Sequence, residues 1–268
     1  MLNLLRVEWL KVKSYRTFWI LLAMSLLCIP GLNYLIYDLM SNSFPKVNGK
    51  TILGSPFAFP DAWQTITWNS TLLFILPAIL IITLTTNEFT YKAHRQNIID
   101  GWSRMQFISV KLFELLLLAL VSTLVVFLTA LVFGCIVNKV SPGQSIWQES
   151  RFIIFYFVQM LSYSMIAFLL SMLIRRAGLA IGAFLIYMLA ENIVVGIMRN
   201  VYKVDGVDYL PEEVTDRLIP QPYGHKILQS SADVTRWEHH LPIYLVVAAV
   251  YLVVYCLITG RRFTTSDL

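Results

Sequence analysis

Six apolar stretches, each about as long as a bilayer is thick when coiled into a helix, divide this chain, and they constrain its fold more than any motif does. A helix needs about 20 mostly apolar residues to cross the hydrocarbon core. Such runs occupy 17–37, 65–87, 111–137, 152–174, 177–198 and 241–260, and the fifth is interrupted only by Glu191. Period-two alternation of barrel type is absent, and a segment in lipid must satisfy its own backbone polar groups, so the spans are helices. The chain is 57% hydrophobic and 14% charged, a balance ill suited to a soluble domain of its length. The expected fold is all-α: a polytopic membrane protein of six transmembrane helices forming one domain, with no soluble remainder large enough for catalysis.

Basic residues beside span ends resist translocation and set orientation. With the N-terminus inside, Arg6, Lys11, Lys13, Arg16, Lys92, Arg95, Arg104, Lys111, Arg175, Arg176, Arg261 and Arg262 share one side. Lys46, Lys50, Lys139 and Arg151 fall on the other, with most of the acids of the third outer loop. Both termini are therefore expected in the cytoplasm. Because these cations flank spans rather than line one groove, a nucleic-acid partner is not expected. The first apolar run lacks an A-x-A-like site after it and exceeds a signal-peptide core of about 7–15 residues, so it is expected to stay as a helix. Cys28, Cys135 and Cys256 lie within spans without C-x-x-C spacing, and read as small core residues rather than a disulfide or metal set.

The segments between spans carry the remaining information. Leu2, Leu5, Trp9 and Val12 share a helical face while Arg6, Glu8 and Lys11 lie mostly elsewhere, so residues 1–16 suit an interfacial helix. Trp63 and Trp68 fall where an aromatic belt is expected. Residues 88–104 form the longest inner segment, too polar for lipid and too short to fold alone; a helix along the membrane is the economical reading, with Gly101 as its stop and Ser103 capping the next helix. Arg175 and Arg176 mark a tight inner hairpin, and Gly178 and Gly182 have the small-xxx-small spacing that lets membrane helices approach closely. The outer segment 199–240 is longer than a connector requires, with short helices expected around 212–218 and 225–231.

No G-x-x-x-x-G-K-[ST], H-E-x-x-H or G-x-S-x-G sequence occurs, so no nucleotide hydrolysis, metalloprotease or esterase chemistry is expected of this chain. Glu238, His239 and His240 are neighbours that do not converge on one ion, and no metal is expected. Charge inside a membrane persists for a reason. Glu191, with Asn192 beside it, could line a pathway or carry a proton; the plainer reading places it near the outer end, in water or paired with Arg199. Glu114, three residues after Lys111, reads as an interfacial ion pair.

With spans and inner segment in view, the chain resembles the type-2 ATP-binding-cassette (ABC) permeases. The matching parts are the basic amphipathic start Leu2 to Arg16, Glu88 closing the second span, and Thr90 to Lys111 with His94-Arg95 and Ser103-Arg104; the long outer loop and basic tail match as well. The stretch K-A-H-R-Q-N-I-I-D-G-W-S-R is similar to members from Bacteroidota. The resemblance implies an elbow helix at 1–16 and a coupling helix at 88–104 that docks on a separate nucleotide-binding ATPase subunit. Glu88, Lys92, His94, Arg95, Ile98, Ile99, Ser103 and Arg104 would be the ATPase-coupling residues. It also implies a second permease chain, ATP and Mg held by the partner ATPase rather than by this chain, outward transport, and a multi-pass place in the bacterial inner membrane. A sensor or assembly scaffold using the outer loop is the rival reading. An ion-coupled carrier is a third, but broken helices and paired intramembrane charges are not expected from the sequence.

Overall fold

The computed structural model describes residues 2–43, 46–47, 50–51, 56–93, 96, 99, 101, 103–137, 146–223 and 231–265. Helix α1 (Leu2–Lys13) leads into α2 (Arg16–Ser43); α3 (Ala62–Thr71), α4 (Ile75–Thr90), α5 (Arg104–Val137), α6 (Arg151–Ile174) and α7 (Ala177–Ile197) follow. A π-helical turn (Met198–Tyr202) and a 3-10 turn (Asp205–Tyr209) follow, and a one-turn helix α8 (Glu213–Asp216) and a long α9 (Ser231–Thr265) complete the described helices. Strands β1 (Lys46–Val47) and β2 (Lys50–Thr51) pair antiparallel, with Lys46 opposite Thr51.

Among the described residues, five helices are long and apolar enough to cross a membrane, and the bent pair α3–α4 makes a sixth crossing if it is one span. The protein is a multi-pass helical membrane protein. Helix α6 is its axle: 61% of its apolar window is buried, against 17% for α2, α7 and α9, whose outward Leu, Ile and Val faces meet the surroundings of the bundle. It packs on α3, α4, α5, α7 and α9. Hydrophobic burial does not drive helices together within lipid, so shape and polar contacts must hold them. Asn33 on α2 supplies one such contact: its Nδ2 donates to Ser70 Oγ on α3 at 3.3 Å, and its Oδ1 accepts from Asn69 Nδ2 at 3.0 Å.

Several expectations are corrected. The second span is not continuous but breaks at 72–74 with a 46° bend. Pro77 is the cause: it has no N–H for the Leu73 carbonyl and its ring crowds that carbonyl, which instead accepts from Leu76 at 3.0 Å in a tighter turn. Broken helices are thus present where the sequence suggested none. The last helix starts at Ser231, ten residues before its apolar run, and carries Pro242 inside it. Trp63 is not a lipid-facing belt residue; it is fully buried, clustered with the near-parallel rings of Phe127 and Trp147, and donates Nε1–H to the Ile146 carbonyl at 2.7 Å. Cys135 is exposed rather than core.

One end of the bundle gathers α1, the start of α5 and the finish of α9. Arg104 Nη1 donates to the Phe263 carbonyl at 3.3 Å, and the Phe107 and Phe263 rings stack at 4.8 Å. The hairpin at Arg175 and Arg176 lies where it was expected, with α6 ending at Ile174, Arg175 in the left-handed conformation and α7 starting at Ala177.

Candidate functional site

The site at this end is built from the first turns of α5. Ser103 and Gln106 form a capping box: Ser103 Oγ accepts the Gln106 N–H at 3.2 Å, and Gln106 Oε1 accepts the Ser103 N–H at 2.9 Å. The helix start so fixed places Lys111 two turns on, on the buried face beside Phe107, and leaves it 4% exposed. An ammonium has three donors. Lys111 spends them on Glu8 Oε2 of α1 at 2.8 Å, Glu88 Oε1 of α4 at 2.5 Å and Glu114 Oε2 of its own helix at 3.0 Å. Lys11 adds a second cation, 2.6 Å from Glu8 Oε1.

Glu8 is therefore the most deeply set side chain described in α1, at 2% exposure, while Trp9 and Leu10 face outward. Expected off the apolar face, Glu8 turns into the bundle because an unpaired Lys111 charge there is far more costly than an exposed leucine. Burial pushes the Glu8 carboxyl upward in pKa, but the Lys111 charge and the bonds from Lys11 and Lys111 outweigh it and hold it at about 2. Two cavities flank the cluster. One, of about 260 Å³, is walled by Trp9, Phe18, Leu80, Leu118 and Phe168 and reaches Lys111 and Glu114; the other, of about 220 Å³, is lined by Glu8, Tyr15, Asn87, Glu88 and Tyr91.

The expected coupling residues divide. Glu88 is inside the Lys111 cluster rather than on the surface, and Ser103 and Arg104 serve as cap and tie to α9. Lys92 is exposed in a left-handed turn that ends α4, Gly101 has φ +93°, and Ile99 is 78% exposed. His94, Arg95 and Ile98 lie outside the described residues. The pairing of Glu114 with Lys111 is as the sequence implied. A Cβ at Gly178 or Gly182 would meet nothing within 4 Å among the described residues, so these glycines bring no described helix of this chain close.

At the opposite end, the segment after α7 folds back over the bundle. Gln64 Nε2 donates to the Pro220 carbonyl at 2.8 Å, Trp237 Nε1 to that of Arg217 at 2.7 Å, and the Tyr251 hydroxyl to that of Tyr209 at 2.9 Å. Glu191 is 8% exposed and neither reaches water nor pairs with Arg199. Its Oε1 accepts the backbone N–H groups of Glu212 and Glu213 at 2.6 and 3.0 Å, and its Oε2 accepts the Tyr187 hydroxyl at 2.6 Å. Arg199 and Arg217 instead pair with Asp208 and Glu213. Asn192 is exposed and bonds the Met188 carbonyl of its own helix. Glu238 lies 3.5 Å from Arg151.

A family model described as "Protein of unknown function (DUF2705)" matches residues 35–268. The chain belongs to the DUF2705 family. The DUF2705 match begins inside α2, so it includes Glu88, Lys111, Glu114, Glu191, Glu212 and Asp216 but not Glu8 or Lys11. None of the curated proteins compared matches the chain.

Proposed function

We propose that this protein is the membrane-spanning permease subunit of an ABC transporter, an exporter of the bacterial inner membrane with both termini in the cytoplasm. The observation that carries the reading is the Lys111 cluster, which ties α1, α4 and α5 together directly at the 91–103 segment. A cytosolic partner pressing on that segment would move two spans and the elbow helix as one body, because separating any of them strands a buried charge. Tyr91 and Ile99, each 78% exposed, give such a partner apolar footholds. The partner is a nucleotide-binding ATPase subunit that holds the ATP and Mg.

The same end of the bundle supports this orientation, because Arg6, Lys13, Lys92, Arg104, Arg175 and Arg261 accompany α1 and the close of α9 there. A second permease chain completes the pathway against the outward faces of α2, α7 or α9. The 260 Å³ apolar cavity ending at Lys111 and Glu114 suits an amphipathic cargo.

The test is affinity capture of the detergent-solubilised protein from its native host, with mass spectrometry of what stays bound. Recovery of a P-loop ATPase that is lost on Ile99→Glu supports the reading. A well-folded preparation that never retains an ATPase rejects it in favour of a sensor or scaffold.

A further inference from the structure

Five acids crowd the covered end of the bundle, and their charges are not shared out evenly. Arg199 and Arg217 bridge Asp208 and Glu213. Glu191, Glu212 and Asp216 are left with no pairing cation among the described residues. Glu191 is met by three donors, as described above, and Asp216 Oδ1 accepts from Gln159 Nε2 at 2.7 Å and the Tyr163 hydroxyl at 2.8 Å. Glu212 is different: it is 1% exposed and neither carboxyl oxygen has a hydrogen-bond partner among the described residues. Gln159, whose amide sits on Asp216, likewise leaves its buried Oε1 unpartnered. Both orphans are acceptors, so what the site lacks is a donor. A buried carboxylate with neither donor nor cation is too costly to persist in ionised form.

We propose that Glu212, seated between Glu191 and Asp216, is a proton-binding site that latches the 205–219 segment onto the bundle. The proton neutralises the one carboxylate that has no partner and supplies the missing donor. The groups around it are Glu191 and Tyr187 from α7, Tyr163 from α6, Asp216 and the adjoining Glu213 from α8, and Tyr255 from α9. None is a cation that would offset a charge on Glu212, and the neighbouring Glu191 and Asp216 carboxylates disfavour one. Burial, then the charges of Glu191 and Asp216, pushes Glu212 up to about 9. Burial likewise raises Asp216, to about 7 after the bonds from Tyr163 and Gln159 pull it partly back. When the segment lifts, Glu212 regains water and its ordinary value of 4.5, and the proton leaves. Closure is therefore favoured at low pH and weakens as pH rises through about 9, the opening equilibrium growing about tenfold per pH unit for each proton released. This holds whether or not the chain partners an ATPase.

Hydrogen exchange of the 205–219 amides, corrected for intrinsic rate, tests it on the full chain in nanodiscs at about pH 7 and about pH 9. The latch predicts protection that falls about tenfold per pH unit in the wild type, and that Glu212→Gln, which keeps the neutral form, makes independent of pH. An unchanged pH slope in that variant, or no slope in the wild type, overturns the proposal. Sodium or calcium chloride restoring wild-type protection at the higher pH also overturns it, making the site one for a metal cation. Should Glu212→Gln fail to fold, infrared spectra of the wild type decide: a carboxylic-acid band that persists to about pH 9, above the value of about 7 for Asp216, supports the latch, and its absence there removes it.

Discussion

Lys111 of α5 and Glu8 of α1 meet at 2.8 Å across 103 residues of chain, both almost wholly buried. Their contact fixes α1 to the start of α5, and it makes α1 a structural part of the bundle rather than a float on its surface.

Lys111→Met should destabilise the protein by about 3–5 kcal/mol, the cost of leaving buried charges without their partner. Adding Glu8→Gln, Glu88→Gln and Glu114→Gln to it should recover most of the loss, since removing a whole ion cluster is far less costly than breaking it. Thermal unfolding in a constant detergent measures both. Equal midpoints for Lys111→Met and the wild type would show that the cluster is not desolvated.

Helix α1 should be insensitive to pH near neutrality. The Glu8 pKa is depressed, so its contribution is complete above the ordinary value of 4.5 and is lost only as pH falls through about 2. Hydrogen exchange over Leu2–Lys13 should stay slow from neutral pH down to about 4.5 and become fast at neutral pH in Glu8→Gln. Release of α1 in the wild type between neutrality and pH 4.5 would show that Glu8 is not held by the lysines.

Gly134 on α5 lies under the ring of Phe59, where an added Cβ would collide with three ring carbons. Both residues are buried, and the collision involves the body of an aromatic ring packed on Trp63. Gly134→Ala should cost about 1–3 kcal/mol through overpacking, and Phe59→Leu should relieve part of that in the double variant. Additive losses in the thermal midpoint would break the link.

The spans were legible because hydropathy over about 20 residues is a local property, and Ser103 was legible because a cap is set by its neighbours. The break before Pro77 was visible only as a lone proline, which membrane helices often tolerate. The inward turn of Glu8 could not be read from α1, since its partner lies on another helix 103 residues away. Glu191 was marked as an anomaly, yet its partners, the N–H groups of Glu212 and Glu213, are backbone atoms that no side-chain pattern announces. The available signal was the run Glu212, Glu213 and Asp216 with Arg199 and Arg217 close by, two cations against more than two acids.

The most direct test of the transport reading is the rate of ATP hydrolysis by the captured ATPase subunit, with and without this chain in liposomes. The account predicts that the wild-type chain raises turnover several-fold, that Ile99→Glu abolishes the rise by losing the partner, and that Glu88→Gln keeps the partner but loses the rise. A turnover that is the same with and without the chain would contradict it.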